Sequence, residues 1–272
     1  MISAKGIVKL WEKRALKIEK RIRLVVSVIL LSALMLFASF FNLNKAVYYL
    51  PFILLLTYFF TYFSLLEGIK KMSWYGLFLM PVVTSLSFFL FYYLFPVRWL
   101  TRLPFLIIYG ISLYAVILCS NIFNVGVEKS LGLYRAAFSI NFFFQTVVIF
   151  FAFIFMASLK QFFWINFFGG GVISFFLSWQ LFWTIKLDKQ LDKGLLGYSA
   201  LISLILAELA LFCSFIPFQS STFAIFLTCI YYSLTGLIYN LIDQKLFKET
   251  IREYLLVLVF VFIISCLSIS WR

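Results

Sequence analysis

Residues 136–159 read AAFSINFFFQTVVIFFAFIFMASL, twenty-four positions without one charged side chain. The hydrocarbon core of a bilayer is about 30 Å thick, and an α-helix of about 20 apolar residues crosses it. In lipid a helix satisfies its backbone N–H and C=O groups internally, which an irregular chain cannot do. This stretch therefore reads as a transmembrane helix. Its two amides, Asn141 and Gln145, stand one turn apart on a single face.

Outward from that stretch the same pattern repeats wherever charges or turn residues interrupt apolar runs. Nine segments result: Leu24–Phe41, Ala46–Leu66, Trp74–Phe95, Leu103–Ser120, Ala136–Leu159, Phe167–Ile185, Leu196–Pro217, Thr222–Ile242 and Tyr254–Trp271. The composition agrees, with 64% hydrophobic residues and only 12% charged against roughly 25% in a soluble domain. The expected fold is all-α, a polytopic bundle of about nine spans. Residues 1–23 form a separate basic segment ahead of one transmembrane domain, 24–272.

The fifth and sixth segments are the hardest to separate, because Lys160 is the only charge between Arg135 and Lys186. Gly169-Gly170-Gly171 suits either a tight turn or a close helix crossing, since each glycine costs a helix roughly 1 kcal/mol relative to alanine. The expectation is a turn ending at these glycines.

The loops test the division, because it was drawn from apolarity and not from charge. With the amino terminus inside, 18 of the 23 Lys and Arg fall on the cytoplasmic side, and only Lys45, Arg98, Arg102, Lys160 and Arg272 fall outside. That predicts a cytoplasmic amino terminus and an external carboxyl terminus. Tyr48, Tyr49, Tyr92, Tyr93, Trp99, Trp164 and Trp271 read as the outer aromatic belt, and Trp74, Tyr75, Trp183 and Tyr198 as the inner one.

In residues 1–23, Ile7, Trp11, Ala15, Ile18 and Ile22 share one helical face among eight Lys and Arg. This predicts an amphipathic helix lying on anionic headgroups, or a docking site for a membrane-protein partner. The basic region is too long for a cleavable signal and no A-x-A site follows it.

The net charge of +13 is distributed between apolar runs and forms no groove-reading module, which excludes nucleic acid as a partner. There is no histidine, so the commonest metal ligand and general base are both missing. The four cysteines are isolated inside apolar segments, and no phosphate-binding glycine loop is present. No cofactor, metal site or catalytic set is expected.

Nine of the ten acidic residues fall on the cytoplasmic side, which argues against glycosyl transfer at the outer face. Asp188 and Asp192 are one turn apart and could hold hydrated magnesium. The interleaved Lys189 and Lys193 favour an exposed, self-compensated loop.

Glu208 is different, because it lies within the seventh segment and its nearest charged neighbours are Lys193 and Asp243. A bare carboxylate inside a span costs roughly 2.5 to 3.5 kcal/mol on insertion scales, so it must be neutralised, paired or facing water. Candidate partners are Asn141 and Gln145, and on the eighth segment Thr228, Tyr232, Thr235 and Tyr239, a stripe ending near Asn240 and Asp243. Glu208, Asn141, Gln145, Tyr232, Tyr239, Asn240 and Asp243 are thus the candidate binding residues. A stripe of this kind glues helices more often than it lines a path.

Asn121-Ile-Phe-Asn-Val125 followed by Leu133-Tyr-Arg-Ala-Ala137 resembles a segment of uncharacterised multi-span bacterial membrane proteins with no assigned activity. The resemblance implies placement in a bacterial inner membrane and transfers no site residue. The favoured function is a non-catalytic scaffold or accessory subunit of a membrane complex. The alternatives are a carrier or flippase using Glu208, and a cytoplasm-facing lipid-modifying enzyme.

Overall fold

The computed structural model describes residues 16–66, 74–96, 98–125, 131–160, 162–187 and 193–269. Nine helices among them are long and apolar enough to cross a membrane. They are α1 (Lys20–Ala38), α2 (Leu50–Leu65), α3 (Trp74–Tyr92), α4 (Trp99–Val125), α5 (Leu131–Ser158), α6 (Phe163–Lys186), α7 (Lys193–Cys213), α8 (Ser220–Ile242) and α9 (Lys248–Leu267). The chain is a multi-pass helical membrane protein, as the nine apolar segments predict.

The basic amphipathic helix expected over residues 1–23 lies mostly outside the described residues. Residues 16–18 form a turn, and α1 begins at Lys20, so the last basic residues of that segment belong to the first span.

The chain divides into two compact units, Met1–Ile140 and Asn141–Arg272, with the boundary inside α5. In the first unit α1 and α3 pack on α4, while α2 packs on α1, α3 and α4. The cross-links are small and polar. Ser64 Oγ donates to Ser27 Oγ at 2.9 Å between α2 and α1, and Ser85 pairs with the Tyr109 hydroxyl at 2.9 Å between α3 and α4. Asn124 Nδ2 donates to the Leu65 carbonyl at 3.2 Å, satisfying one of the orphan acceptors at the end of α2.

In the second unit the principal pairing is α6 on α7; α8 packs on both, and α9 packs on α8. The turn expected at Gly169-Gly170-Gly171 is absent. Helix α6 runs straight through the glycines, and the chain turns at Leu159 and Lys160, where Lys160 takes φ 47°. A charge can reach water there, which outweighs the preference of a turn for glycine.

The glycines serve instead as a contact surface. A Cβ added at Gly171 would lie 3.2 Å from the Ala207 Cβ, and one at Gly170 3.4 Å from the Ala210 Cβ. Ser203 Oγ of α7 donates to the Gly171 carbonyl at 2.8 Å. This is a small-residue crossing of the kind lipid-embedded helices use to approach closely.

Candidate functional site

The second unit buries an amide cluster deep within its spans. Gln145 of α5 donates through Nε2 to Gln180 Oε1 of α6 and to the Leu177 carbonyl at 3.1 Å. Its Oε1 accepts from the Tyr231 hydroxyl of α8 at 3.0 Å, and Asn141 Nδ2 donates to Gln180 Oε1 at 3.2 Å. Asn141, Gln145, Gln180 and Tyr231 are each at most 1% exposed.

Each member carries its polar atoms into a neighbour, so three helices are fixed in register. Beside the cluster, Phe142 stacks on Tyr232 with ring centroids 5.0 Å apart, and Tyr232 tilts against Tyr254 of α9. Asn141 and Gln145 are therefore together as expected, but their partners are Gln180 and Tyr231.

The remaining candidates on α8 disperse. Thr235 Oγ1 donates to the Tyr231 carbonyl, and Asn240 Nδ2 to the Gly236 carbonyl at 2.8 Å, both within their own helix. Tyr239 is partly buried, and Asp243 sits just past the end of α8, ion-paired with Lys245. Asp188 and Asp192 lie outside the described residues. Among the described residues no group of three His, Cys, Asp or Glu could hold a metal ion.

Glu208 joins none of these groups. On α7 the side chains of Ser203, Ala207 and Ala210 meet α6, whereas Leu201, Leu204, Glu208, Phe212 and, beyond the helix end, Phe215 are exposed. Those five positions recur at spacings of three and four, so they form one outward stripe. Glu208 has no hydrogen bond or ion pair with any described residue, and the expected pairing with Asn141, Gln145 or the α8 stripe is not made.

Sequence reasoning passed over a second charged residue. Arg102, in the first turn of α4, is 8% exposed, and its Nε donates to the Tyr92 hydroxyl at 3.1 Å. The guanidinium lies over the Phe40 ring at 4.7 Å and the Trp99 ring at 5.5 Å. Tyr92, read as a belt residue, is only 3% exposed, and its role is to hold Arg102. Trp99 and Tyr48 are exposed, at 59% and 84%.

The family model described as a protein of unknown function (DUF5656) matches residues 68–268. The chain belongs to that family, in keeping with the resemblance to uncharacterised multi-span proteins. The match takes in α3 through α9 and leaves α1 and α2 outside it. No curated protein and no solved structure matches the chain.

Proposed function

We propose that this family member is a non-catalytic scaffold or accessory subunit of a membrane complex, and that it docks through the outward stripe of α7. The observation that carries the proposal is Glu208, a carboxyl group within a span, exposed and without a partner among the described residues. In contact with lipid alone such a group costs several kcal/mol. A helix from another protein that presents a donor or a cation removes that cost.

The amide cluster supports the same conclusion, because its members satisfy one another and tie α5, α6 and α8 together. A carrier would draw support from the groove of ≈ 360 Å³ lined by Thr146, Thr228, Tyr232 and apolar neighbours. Glu208 is not among the lining residues, so the groove lacks the group that motivates ion coupling.

The setting we propose is a bacterial inner membrane, with the amino terminus cytoplasmic and residues 1–23 held on anionic headgroups. The distribution of Lys and Arg supports that orientation.

The test is purification of the intact chain in mild detergent with a photo-crosslinking residue at Leu204 or Phe212, and at Ile107 as an exposed control on α4. The expected result is one stoichiometric membrane protein crosslinked at 204 and 212 but not at 107, with recovery reduced about tenfold in Glu208→Leu. A chain that purifies alone, or a partner retained equally by Glu208→Leu, overturns the proposal.

A further inference from the structure

Arg102 combines three properties that do not ordinarily coexist: it is a cation, it is largely buried, and it makes no ion pair with any described residue. Asp and Glu are absent from residues 20–66 and from 68–127, so the first unit has only Glu12, Glu19, Glu67 and Glu128. Of these Glu19 alone lies among the described residues, and it precedes the opposite end of α1 from Phe40. About 35 Å of helix separates Arg102 from the end of α4 at Val125.

The neighbouring tyrosine does not supply the charge either. Tyr93 carries a phenol, which is neutral at pH 7. Its hydroxyl is already committed, donating to the Ala38 carbonyl at 2.9 Å.

The side chain is nevertheless held in place. Nε is fixed by Tyr92, Phe40 and Trp99 receive the cation on their rings, and the two rings meet edge to face with centroids 5.7 Å apart. An arginine has five N–H donors, and only one has an acceptor among the described residues. The four on the terminal nitrogens remain, in the planar fork that matches two oxygens of one tetrahedral anion.

Trp99 and Phe40 are half-exposed or more, and exposed aromatic residues beside an apolar span favour the membrane interface. The anion present at that depth in every phospholipid membrane is phosphate.

We propose that Arg102, with Tyr92, Phe40 and Trp99, forms a site for a phosphate group at the membrane interface. The phosphodiester of a lipid headgroup is the expected source, and a water-soluble phosphate is the other source with the same chemistry. This site is independent of the α7 stripe, and each can fail without the other.

The full chain, delipidated in non-ionic detergent, is titrated with phosphatidylglycerol and with diacylglycerol of the same acyl length, and bound lipid is counted by native mass spectrometry. The expected result is one tightly retained phospholipid per chain that diacylglycerol does not replace. Arg102→Gln should weaken that retention about tenfold or more, Arg102→Lys partly, and Arg98→Gln not at all. Competition by millimolar inorganic phosphate assigns a soluble source, and its failure to compete assigns the lipid.

Equal retention by Arg102→Gln, or equal binding of diacylglycerol, overturns the site and leaves the charge to a partner's carboxylate. Should Arg102→Gln not fold, the wild-type chain alone decides. Phosphatidylglycerol must raise its unfolding temperature above that reached in diacylglycerol.

Discussion

At the scale of single residues, two sets of polar groups in this chain stand as contrasting regimes. Asn141, Gln145, Gln180 and Tyr231 are each nearly or fully buried and satisfy one another, whereas Glu208 and Arg102 are ionisable groups with no ion pair among the described residues. In the first regime the energy is shared, because one substitution strands its partners. Gln145→Leu removes the acceptor of Tyr231 and a donor to Gln180, which should cost about 1 to 2 kcal/mol in a membrane setting. Tyr231→Phe added to Gln145→Leu should cost little more, since the hydroxyl it deletes is already stranded. Reversible unfolding of the two single variants and the double in mixed micelles measures the coupling. Strictly additive losses would show that the cluster is not a unit. The sequence revealed half of it, because Asn141 and Gln145 stand one turn apart in an uncharged run. Gln180 and Tyr231 lie on other helices, and the pairing depends on the rotation of α6 and α8, which no local pattern encodes. Arg102 was legible only as a loop charge for the same reason: its neighbours Tyr92 and Phe40 belong to other elements, Phe40 at a long distance in the chain.

At the scale of elements, the nine helices were legible, their ends only to within about six residues, and the turn between the fifth and sixth was misplaced. Apolar run length is a property of each segment taken alone, and lipid enforces it on every span. The turn between α5 and α6 depends instead on what the glycines touch. Gly170 and Gly171 meet Ala210 and Ala207 closely, so their lack of a side chain serves the crossing, and Lys160 accepts a left-handed backbone in their place. The contacts set opposite outcomes for neighbouring substitutions. Gly171→Val must separate α6 from α7, because its Cβ alone falls 3.2 Å from the Ala207 Cβ, and a loss of about 1 to 3 kcal/mol is expected. Gly169→Ala meets the flexible Met156 side chain, which can swing aside, and alanine favours the helix by up to about 1 kcal/mol. Thermal unfolding in one detergent should therefore fall for Gly171→Val and hold or rise for Gly169→Ala. Equal loss in both would mean that the glycines matter for backbone freedom and not for the crossing.

At the scale of the whole molecule, nine crossings tie the sidedness of every loop to that of the first, since one missed or invented span reverses all loops beyond it. The segment joining α1 to α2 and the segment joining α8 to α9 then face opposite sides, because seven helices lie between them. Tyr48, 84% exposed in the first segment, and the exposed Gln244 in the second are suitable reporters. Cys119, Cys213, Cys229 and Cys266 would first be replaced by alanine or serine. A single cysteine at position 48 should then react with a membrane-impermeant maleimide added to intact cells, and a single cysteine at 244 only after the membrane is opened. The two positions separate two claims. Labelling of both, or of neither, would break the count of nine, whereas labelling of 244 alone would keep the count and invert the chain. Inversion would place most of the Lys and Arg outside, against the positive-inside rule. It would also move Arg102 to the cytoplasmic leaflet, where anionic lipids and soluble phosphates both reach it. The expected orientation instead leaves Arg102 facing the outer leaflet, on a side whose loops carry no carboxylate of their own.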